Sequence, residues 1–131
     1  MYPLHKALER SDRLILKNQY MIRKVASILL LFFSLAAYSQ RMYSVQYESQ
    51  ADINVFVVDY ESQADLNVFK VPYSSQAQGN EGLWYFVDYA SQADKKIYFV
   101  DYESQSDLKI YFVKYQSRAG WNNNAKKHLL Y

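Results

Sequence analysis

Tyrosines recur along this chain at regular intervals, and the intervals themselves repeat. They are 13, 13, 16, 13, 13 and 16 residues long, so a 42-residue period occurs twice. The tyrosines that define it are Tyr47, Tyr60, Tyr73, Tyr89, Tyr102, Tyr115 and Tyr131. A fixed period of this kind is typical of a domain that uses one supersecondary unit many times. The period divides the domain into two halves, residues 47–89 and 89–131.

Each repeat joins a turn segment to a strand segment. The turn segment has the sequence Ser-Gln-Ala-Asp or a close variant, whose Ser and Asp oxygens can accept hydrogen bonds from nearby backbone N–H groups. The strand segment is a short run of aromatic and β-branched residues, such as Val55–Val58 or Ile97–Asp101, and such runs favour β-strands. With a first strand over Met42–Tyr47 and a seventh over Lys126–Tyr131, the repeats predict a compact all-β domain of seven short strands. A helix over Ala125–Leu130 is the alternative for the last segment.

The duplicated spacing also predicts pseudo-two-fold symmetry and two equivalent long loops. These loops carry the three-residue insertions of the longer intervals, near Gly79–Gly82 and near Asn122–Asn124. Small residues recur four positions after each tyrosine and predict a close approach to a neighbouring strand: Ala51, Ala64, Ala77, Ala93, Ser106 and Ala119.

Alternation along the strands assigns their two faces. Phe56, Val58 and Tyr60 point one way, and this face is predicted to form the core, with the tyrosine hydroxyls bonded at the rim because a buried phenol needs a partner. The opposite face is predicted to be half covered. It carries Phe86, Phe99 and Phe112.

The first forty residues predict an export signal. Ile22, Arg23 and Lys24 precede an apolar run over Val25–Ala37, and Ala37 and Ser39 occupy the small-residue positions of a signal-peptidase site. The run has 13 residues, which is too short to cross a bilayer. Residues 21–39 are therefore predicted to be a helical signal peptide cleaved after Ser39, leaving a single β-repeat domain over residues 40–131.

Residues 1–20 have two interpretations. Met21 stands where the initiator methionine of a signal peptide belongs, so the preceding segment is either an upstream mis-start or a long N-terminal region of the signal. The sequence does not choose between them.

The charge and cysteine content of residues 40–131 limit the classes of function. This part has nine Lys and Arg against eleven Asp and Glu, a weakly acidic balance that lacks the footprint of a nucleic-acid binder. There is no cysteine, so this exported domain must find its stability without the disulfides that small secreted proteins use. The membrane is predicted to be a partner only through the uncleaved signal.

The acidic residues form two regular series that are predicted to be structural. Asp52, Asp65, Asp94 and Asp107 are expected to cap turns, and Asp59, Asp88 and Asp101 are expected to keep strand ends in solvent. Calcium binding needs six to eight oxygen ligands, and no repeat has a glycine-rich calcium loop. His128 is the one histidine after residue 40, which leaves too few groups for a zinc site or a catalytic triad. We expect no metal, no cofactor and no enzymatic activity.

The repeat resembles a family of uncharacterised bacterial proteins with tyrosine-punctuated units of the form DYxSQADxKIYFVDY. The units Asp88–Tyr102 and Asp101–Tyr115 carry this resemblance, which extends over Tyr43–Tyr131 and includes the Ala119-Gly120-Trp121 loop. It implies a small β protein whose backbone forms a seven-crossing torus knot. It implies no activity, cofactor or catalytic residue.

These observations predict an exported structural or interaction module. The alternative is a carbohydrate- or cell-surface-binding module that uses aromatic and polar residues near the two long loops. The candidate contact residues are Asn80, Glu81, Trp84, Trp121, Asn122 and Asn123. The phenylalanine face is expected to be buried either within the chain or in a homodimer, because a small domain needs all its aromatic burial.

Overall fold

The computed structural model describes residues 2–35 and 38–131, with side chains in the helix described over residues 9–28. It divides into two units, one over Met1–Ala37 and one over Tyr38–Tyr131. The first contains a single helix, α1, over Tyr2–Leu35. Its apolar side chains between Leu14 and Ile28 are exposed. Of the predicted signal-peptidase site, Ala37 lies outside the described residues.

Within the described residues the second unit is all-β, with seven strands joined by short 3₁₀ turns. Five of the strands form at the runs of aromatic and β-branched residues, since such side chains fit a pleated, half-buried surface. Their bounds are β1 Arg41–Ser44, β2 Ile53–Val57, β3 Leu66–Lys70, β4 Leu83–Phe86, β5 Lys95–Phe99, β6 Leu108–Phe112 and β7 Gly120–Trp121.

Six strands close into a parallel barrel in the order β4-β1-β5-β2-β6-β3, and β3 pairs with β4 to complete it. Strands β1, β2 and β3 therefore alternate around the barrel with strands β4, β5 and β6. The two groups of three strands do not sit side by side. They interleave, because each of the six strands is flanked by strands of the other group.

The register shifts by two residues at every step around the barrel. Ser44 of β1 pairs with Ile97 of β5, and Ile97 pairs with Ile53 of β2. The same shift recurs at the other pairings. A stagger this large tilts the strands strongly against the barrel axis, and it places equivalent residues of all six repeats at one height.

The inward-facing positions consequently form layers of six residues, one from each repeat. The middle layer lies five residues before each tyrosine and is wholly buried, with no exposed surface: Met42, Val55, Val68, Trp84, Ile97 and Ile110. The layer seven residues before each tyrosine holds Gln40, Ile53, Leu66, Gly82, Lys95 and Leu108. The layer three residues before holds Ser44, Val57, Lys70, Phe86, Phe99 and Phe112.

This core corrects the predicted faces. Phe86, Phe99 and Phe112 pack against the core cluster, whereas the tyrosines expected inside are between 65 and 68% exposed. Of the predicted core face, the valine two residues before the tyrosine is well buried in five of the six repeats, as in Val58 and Val100, and half-buried in the sixth, Val87. Its N–H donates to the neighbouring strand, from Val58 to the Ile110 carbonyl for example.

Five of the six links between consecutive strands lie against the strand that sits between the two they join, whereas β3 and β4 are paired directly. The turn Glu48–Gln50, which joins β1 to β2, lies against β5, and the turn Ala90–Gln92, which joins β4 to β5, lies against β1. In the same way, the turn Glu61–Gln63, which joins β2 to β3, lies against β6, and the turn Glu103–Gln105, which joins β5 to β6, lies against β2. The links that join β1, β2 and β3 thus cover β5 and β6, and the links that join β4, β5 and β6 cover β1 and β2.

The C-terminal segment differs from the prediction. The seventh strand is Gly120–Trp121, antiparallel to the start of β3, and Asn124–Leu130 is a 3₁₀ helix rather than a strand. The alternative of a helix in the tail is therefore the better one, although its turns are 3₁₀ rather than α. Leu130 joins the core, and the ring of Tyr131 meets that of Tyr38 edge-on at 5.5 Å between centroids. The folded unit thus begins and ends side by side.

Candidate functional site

The residues predicted to contact a ligand do not form one exposed surface. Trp84 is wholly buried in the middle core layer, so the expectation that its ring is exposed is wrong. The cause is its repeat position, since residues five before each tyrosine all point into the barrel.

The other predicted residues meet and hold the two long loops together. The Trp121 indole N–H donates to the Asn80 carbonyl at 2.8 Å, and the Asn80 carboxamide donates to the Lys127 carbonyl at 3.0 Å. Lys127 is paired with Glu81 at 2.9 Å, and this pairing raises the pKa of Lys127. Asn80 is buried and also accepts a hydrogen bond from the Gln40 side chain at 2.6 Å.

Asn122 and Asn123 are exposed but their side chains bond to the protein. The Asn122 carboxamide donates to the Ala64 carbonyl at 3.1 Å, and that of Asn123 donates to Asp65 at 3.3 Å. Five of the six predicted contact residues therefore lie close together as a loop junction, comprising Asn80, Glu81, Trp121, Asn122 and Asn123. Most of their polar groups form hydrogen bonds or ion pairs within the protein. Their contact with a ligand stays a prediction.

The first aspartate series clamps neighbouring strands. The Asp52 N–H donates to the Lys96 carbonyl at 2.8 Å, while the Asp52 carboxylate accepts the Lys96 N–H at 2.8 Å. Asp65 makes the same pair of bonds to Lys109, Asp94 to Arg41, and Asp107 to Asn54. The predicted turn caps are thus strand clamps, which tie each link to the start of the strand that it crosses. Asp59, Asp88 and Asp101 are exposed, as predicted.

The pKa of Asp94 is lower than usual because its carboxylate is bonded to Arg41. Partial burial alone would raise the pKa, but the hydrogen bonds and positive charge of Arg41 outweigh it and hold the pKa below 3.8. Two of these bonds join the Arg41 guanidinium to the carboxylate at 3.0 and 3.1 Å. A hydrogen bond from the Ser39 side chain acts in the same direction.

Aromatic rings and one lysine occupy the barrel end where the strands finish. Phe86, Phe99 and Phe112 come from alternate strands of the ring, and the rings of Phe86 and Phe112 are 6.4 Å apart. Lys70 lies on the strand between those two, with its ammonium 4.3 Å from the Phe112 ring centre and 5.4 Å from that of Phe86. Val57, at the same height, is 41% exposed.

Six tyrosines form the feature that sequence reasoning missed, and we call them the tyrosine ring. Each precedes a 3₁₀ turn with extended backbone, φ between −122° and −130° for all. They share one repeat position and hence one height around the barrel. The tyrosine ring consists of Tyr47, Tyr60, Tyr73, Tyr89, Tyr102 and Tyr115. Their spacing was visible in the sequence, but their exposure was not.

Among the residues that the structure describes, no three His, Asp or Glu side chains cluster closely enough to hold a metal ion. Nor does α1, over its described part, contain a stretch both long and apolar enough to cross a membrane.

Comparison with known proteins gives one family. Residues 39–122, nearly the whole β unit, match the model of the 7(1) septoil knot domain. Curated proteins and solved structures yield no significant match. The interleaved strands, the crossing links and this match agree, and the chain belongs to the septoil knot domain family.

Proposed function

We propose that this protein is exported and acts as a persistent, non-enzymatic interaction module outside the cytoplasm. One observation carries the proposal: the side-chain chemistry of the β unit is repeated around the barrel axis instead of converging on one point. A catalytic site needs unlike groups brought within hydrogen-bond reach of one substrate. A surface that presents the same groups six times suits repeated contacts with a partner.

The barrel supports persistence. Closure removes the free strand edges that invite aggregation or proteolysis, and the four aspartate clamps bind the links to the strands below them. A domain without cysteine that works outside the cytoplasm needs a substitute for disulfides. The clamps and the layered core are that substitute in this proposal.

We also infer that the backbone of the β unit is knotted. The link from β1 to β2 covers β5, while the link from β4 to β5 covers β1. Neither the group β1–β3 nor the group β4–β6 can be lifted from the barrel without drawing its chain through the other. Knots are otherwise close to absent in proteins, so the family match and the reciprocal covering are both needed to support this inference.

Export is supported by the basic residues Arg23 and Lys24 followed by the apolar run, and by the exposed apolar side chains of α1. The β unit begins at Tyr38, whose carbonyl accepts the Gly79 N–H at 2.9 Å, and Ser39 bridges to Gln78. The proposed cleavage after Ser39 thus falls at the edge of the folded unit.

Expression of the full chain in a bacterium, with a C-terminal tag, tests the proposal. We expect tagged protein outside the cytoplasm, with an N-terminus at Gln40 by mass spectrometry. The variant Leu30→Arg interrupts the apolar run and should hold the protein in the cytoplasm at full length. Wild-type protein that stays cytoplasmic and uncleaved would contradict export.

A further inference from the structure

The tyrosine ring exposes six large aromatic side chains that the fold could have buried. Each is between 65 and 68% exposed, although a domain of this size benefits from burying aromatic area. Their environments are nearly identical, since backbone angles, turn type and exposure agree across all six. Side chains this uniform and this exposed contribute little to the core and are available to a partner.

Each tyrosine is accompanied by two neutral hydrogen-bonding groups. An exposed serine stands two residues later in every turn, and an exposed glutamine stands three residues later in five of the six. In the sixth, Arg118 takes the place of glutamine and pairs with Glu61 at 2.7 Å. The repeated unit is thus an aromatic face beside a hydroxyl and a carboxamide.

The charges around the ring disfavour a polyanion. Acidic residues flank four of the six tyrosines directly: Glu48, Asp59, Glu61, Asp88, Asp101 and Glu103. Nucleic acids and acidic glycans require clustered Lys and Arg, which these turns do not supply. Lys70, Lys114 and Arg118 offset part of the negative charge. A strongly cationic polymer would therefore also gain little electrostatic attraction.

We propose that the tyrosine ring binds a neutral polysaccharide, with different sugar rings of one polymer chain placed on different tyrosines. This assignment rests on the proposed function and names its partner. The apolar C–H face of a pyranose covers an aromatic ring and removes its area from water, while the sugar hydroxyls bond to the serine and glutamine side chains of the same turn.

The repetition explains why the ligand is a polymer. One exposed ring gives a weak contact, but contacts linked within one polymer chain act at high effective concentration. A globular protein partner instead needs a central cluster of buried anchors sealed from water by its neighbours. Here the aromatic groups are spread around the circumference and separated by polar turns.

Retention on insoluble cellulose and insoluble chitin tests the proposal, with protein recovered from expression of the full chain. We expect retention on at least one polymer, with no release by free glucose or N-acetylglucosamine at millimolar concentration. The triple variant Tyr60→Ala, Tyr89→Ala, Tyr102→Ala should lose retention by roughly tenfold or more. The triple Tyr→Phe variant at the same positions keeps the rings and should retain most of it.

Tyr131→Ala is the matched control, because Tyr131 is also exposed, at 59%, but is followed by no turn. Its retention should equal that of the wild type. Circular dichroism checks that each variant is folded. If the triple alanine variant does not fold, the single variant Tyr102→Ala replaces it and is expected to lose a smaller part of the retention.

Three results overturn the proposal: folded wild-type protein that binds neither polymer, retention unaffected by the alanine variants, or retention on heparin-coated beads alone. Each leaves the proposed export and stability intact, since those are read from fractionation and unfolding.

Discussion

At the scale of single residues, the position within the repeat decides burial more than residue type does. Trp84 and Phe86 belong to the inner layers, while the chemically similar Tyr89 stands in solvent. Alternation along the strands separates two faces but does not say which is inside when both carry aromatic and β-branched residues. Strands of parallel sheets that are covered on both sides lack the clear alternation of one-sided sheets. Here the core covers the inner face of each strand and the crossing links cover part of the outer face.

Replacing Tyr102 by alanine is expected to cost less than about 1 kcal/mol of unfolding free energy, because its side chain is 68% exposed. Replacing Ile110, wholly buried in the middle layer, should cost about 2–5 kcal/mol. Equilibrium urea denaturation of both variants measures the difference. Equal costs would mean that the faces are assigned incorrectly.

The Asp94 clamp predicts acid sensitivity. Because the pKa of Asp94 is lower in the folded protein than its usual 3.8, protonation is harder in the folded state than in the unfolded state. The stabilisation is therefore complete above about pH 4 and is lost as the pH falls through the folded pKa. The variant Asp94→Asn should be less stable than the wild type at pH 6, and the two should converge toward pH 3.

Urea midpoints at the two pH values measure this convergence. Asp101→Asn is the control, since Asp101 lies exposed at a strand end and its replacement should change both midpoints little. A difference between Asp94→Asn and wild type that stays constant with pH would contradict the role given to the carboxylate charge.

At the scale of secondary-structure elements, local signals located most strands but not the last one. The runs Val55–Val58, Trp84–Val87 and Ile110–Val113 all overlap observed strands, because short aromatic and β-branched runs have few other structures available. The C-terminal tail follows the same spacing yet forms a 3₁₀ helix. Six strands already close the barrel, and the stagger leaves only the first residues of β3 free to pair.

The loop junction was partly predictable. The two insertions mark both long loops in the sequence, and the structure brings them together through Trp121 and Asn80. That their polar side chains would bond to the protein rather than face solvent depended on the interleaved strand order. No local pattern encodes that order, since it arises only when distant repeats pair.

Gly82 fixes the approach of the first long loop to β3. Its φ is +83°, and a Cβ there would collide with the Asn67 carbonyl oxygen. Gly82→Ala should cost more than about 2 kcal/mol, since both strain and steric overlap act. Gly79→Ala shares the positive φ, +75°, but has open space around the added atom, so about 1 kcal/mol is expected.

Thermal and urea unfolding of the two glycine variants compare the costs directly. Similar destabilisation would mean that backbone conformation alone matters, and that the close approach to β3 does not.

At the scale of the whole molecule, the register shift between neighbouring strands explains why short links can cross a strand. A shift of two residues at every step tilts the strands, so a short link suffices to carry the chain from the end of one strand past its neighbour. Repeats of 13 residues can then enclose a core with short 3₁₀ turns between their strands. The links between β1 and β2, between β2 and β3, and between β5 and β6 have eight residues each, fewer than the dozen or more that the usual parallel crossover needs.

The inferred knot predicts an incomplete extension under force. When the full chain is pulled through cysteines introduced at Tyr38 and Tyr131, the gain in length should fall short of full extension by at least about 35 Å, the length of roughly ten residues. Optical tweezers measure this gain. Since the natural chain has no cysteine, attachment is specific.

Pulling between cysteines at Glu103 and Lys114, which lie in one repeat, is the control and should give the full length of that segment. Full extension from the outer attachment points would show an unknotted path.

The meeting of Tyr38 with Tyr131 has a practical consequence for engineering. A few added residues are enough to ligate the ends of the β unit into a circle, and in that circle the inferred knot could not be undone by thermal motion unless a peptide bond is cut. Because its two ends are close together, the unit could also be inserted into an exposed hairpin loop of another protein without changing the register of the strands on either side.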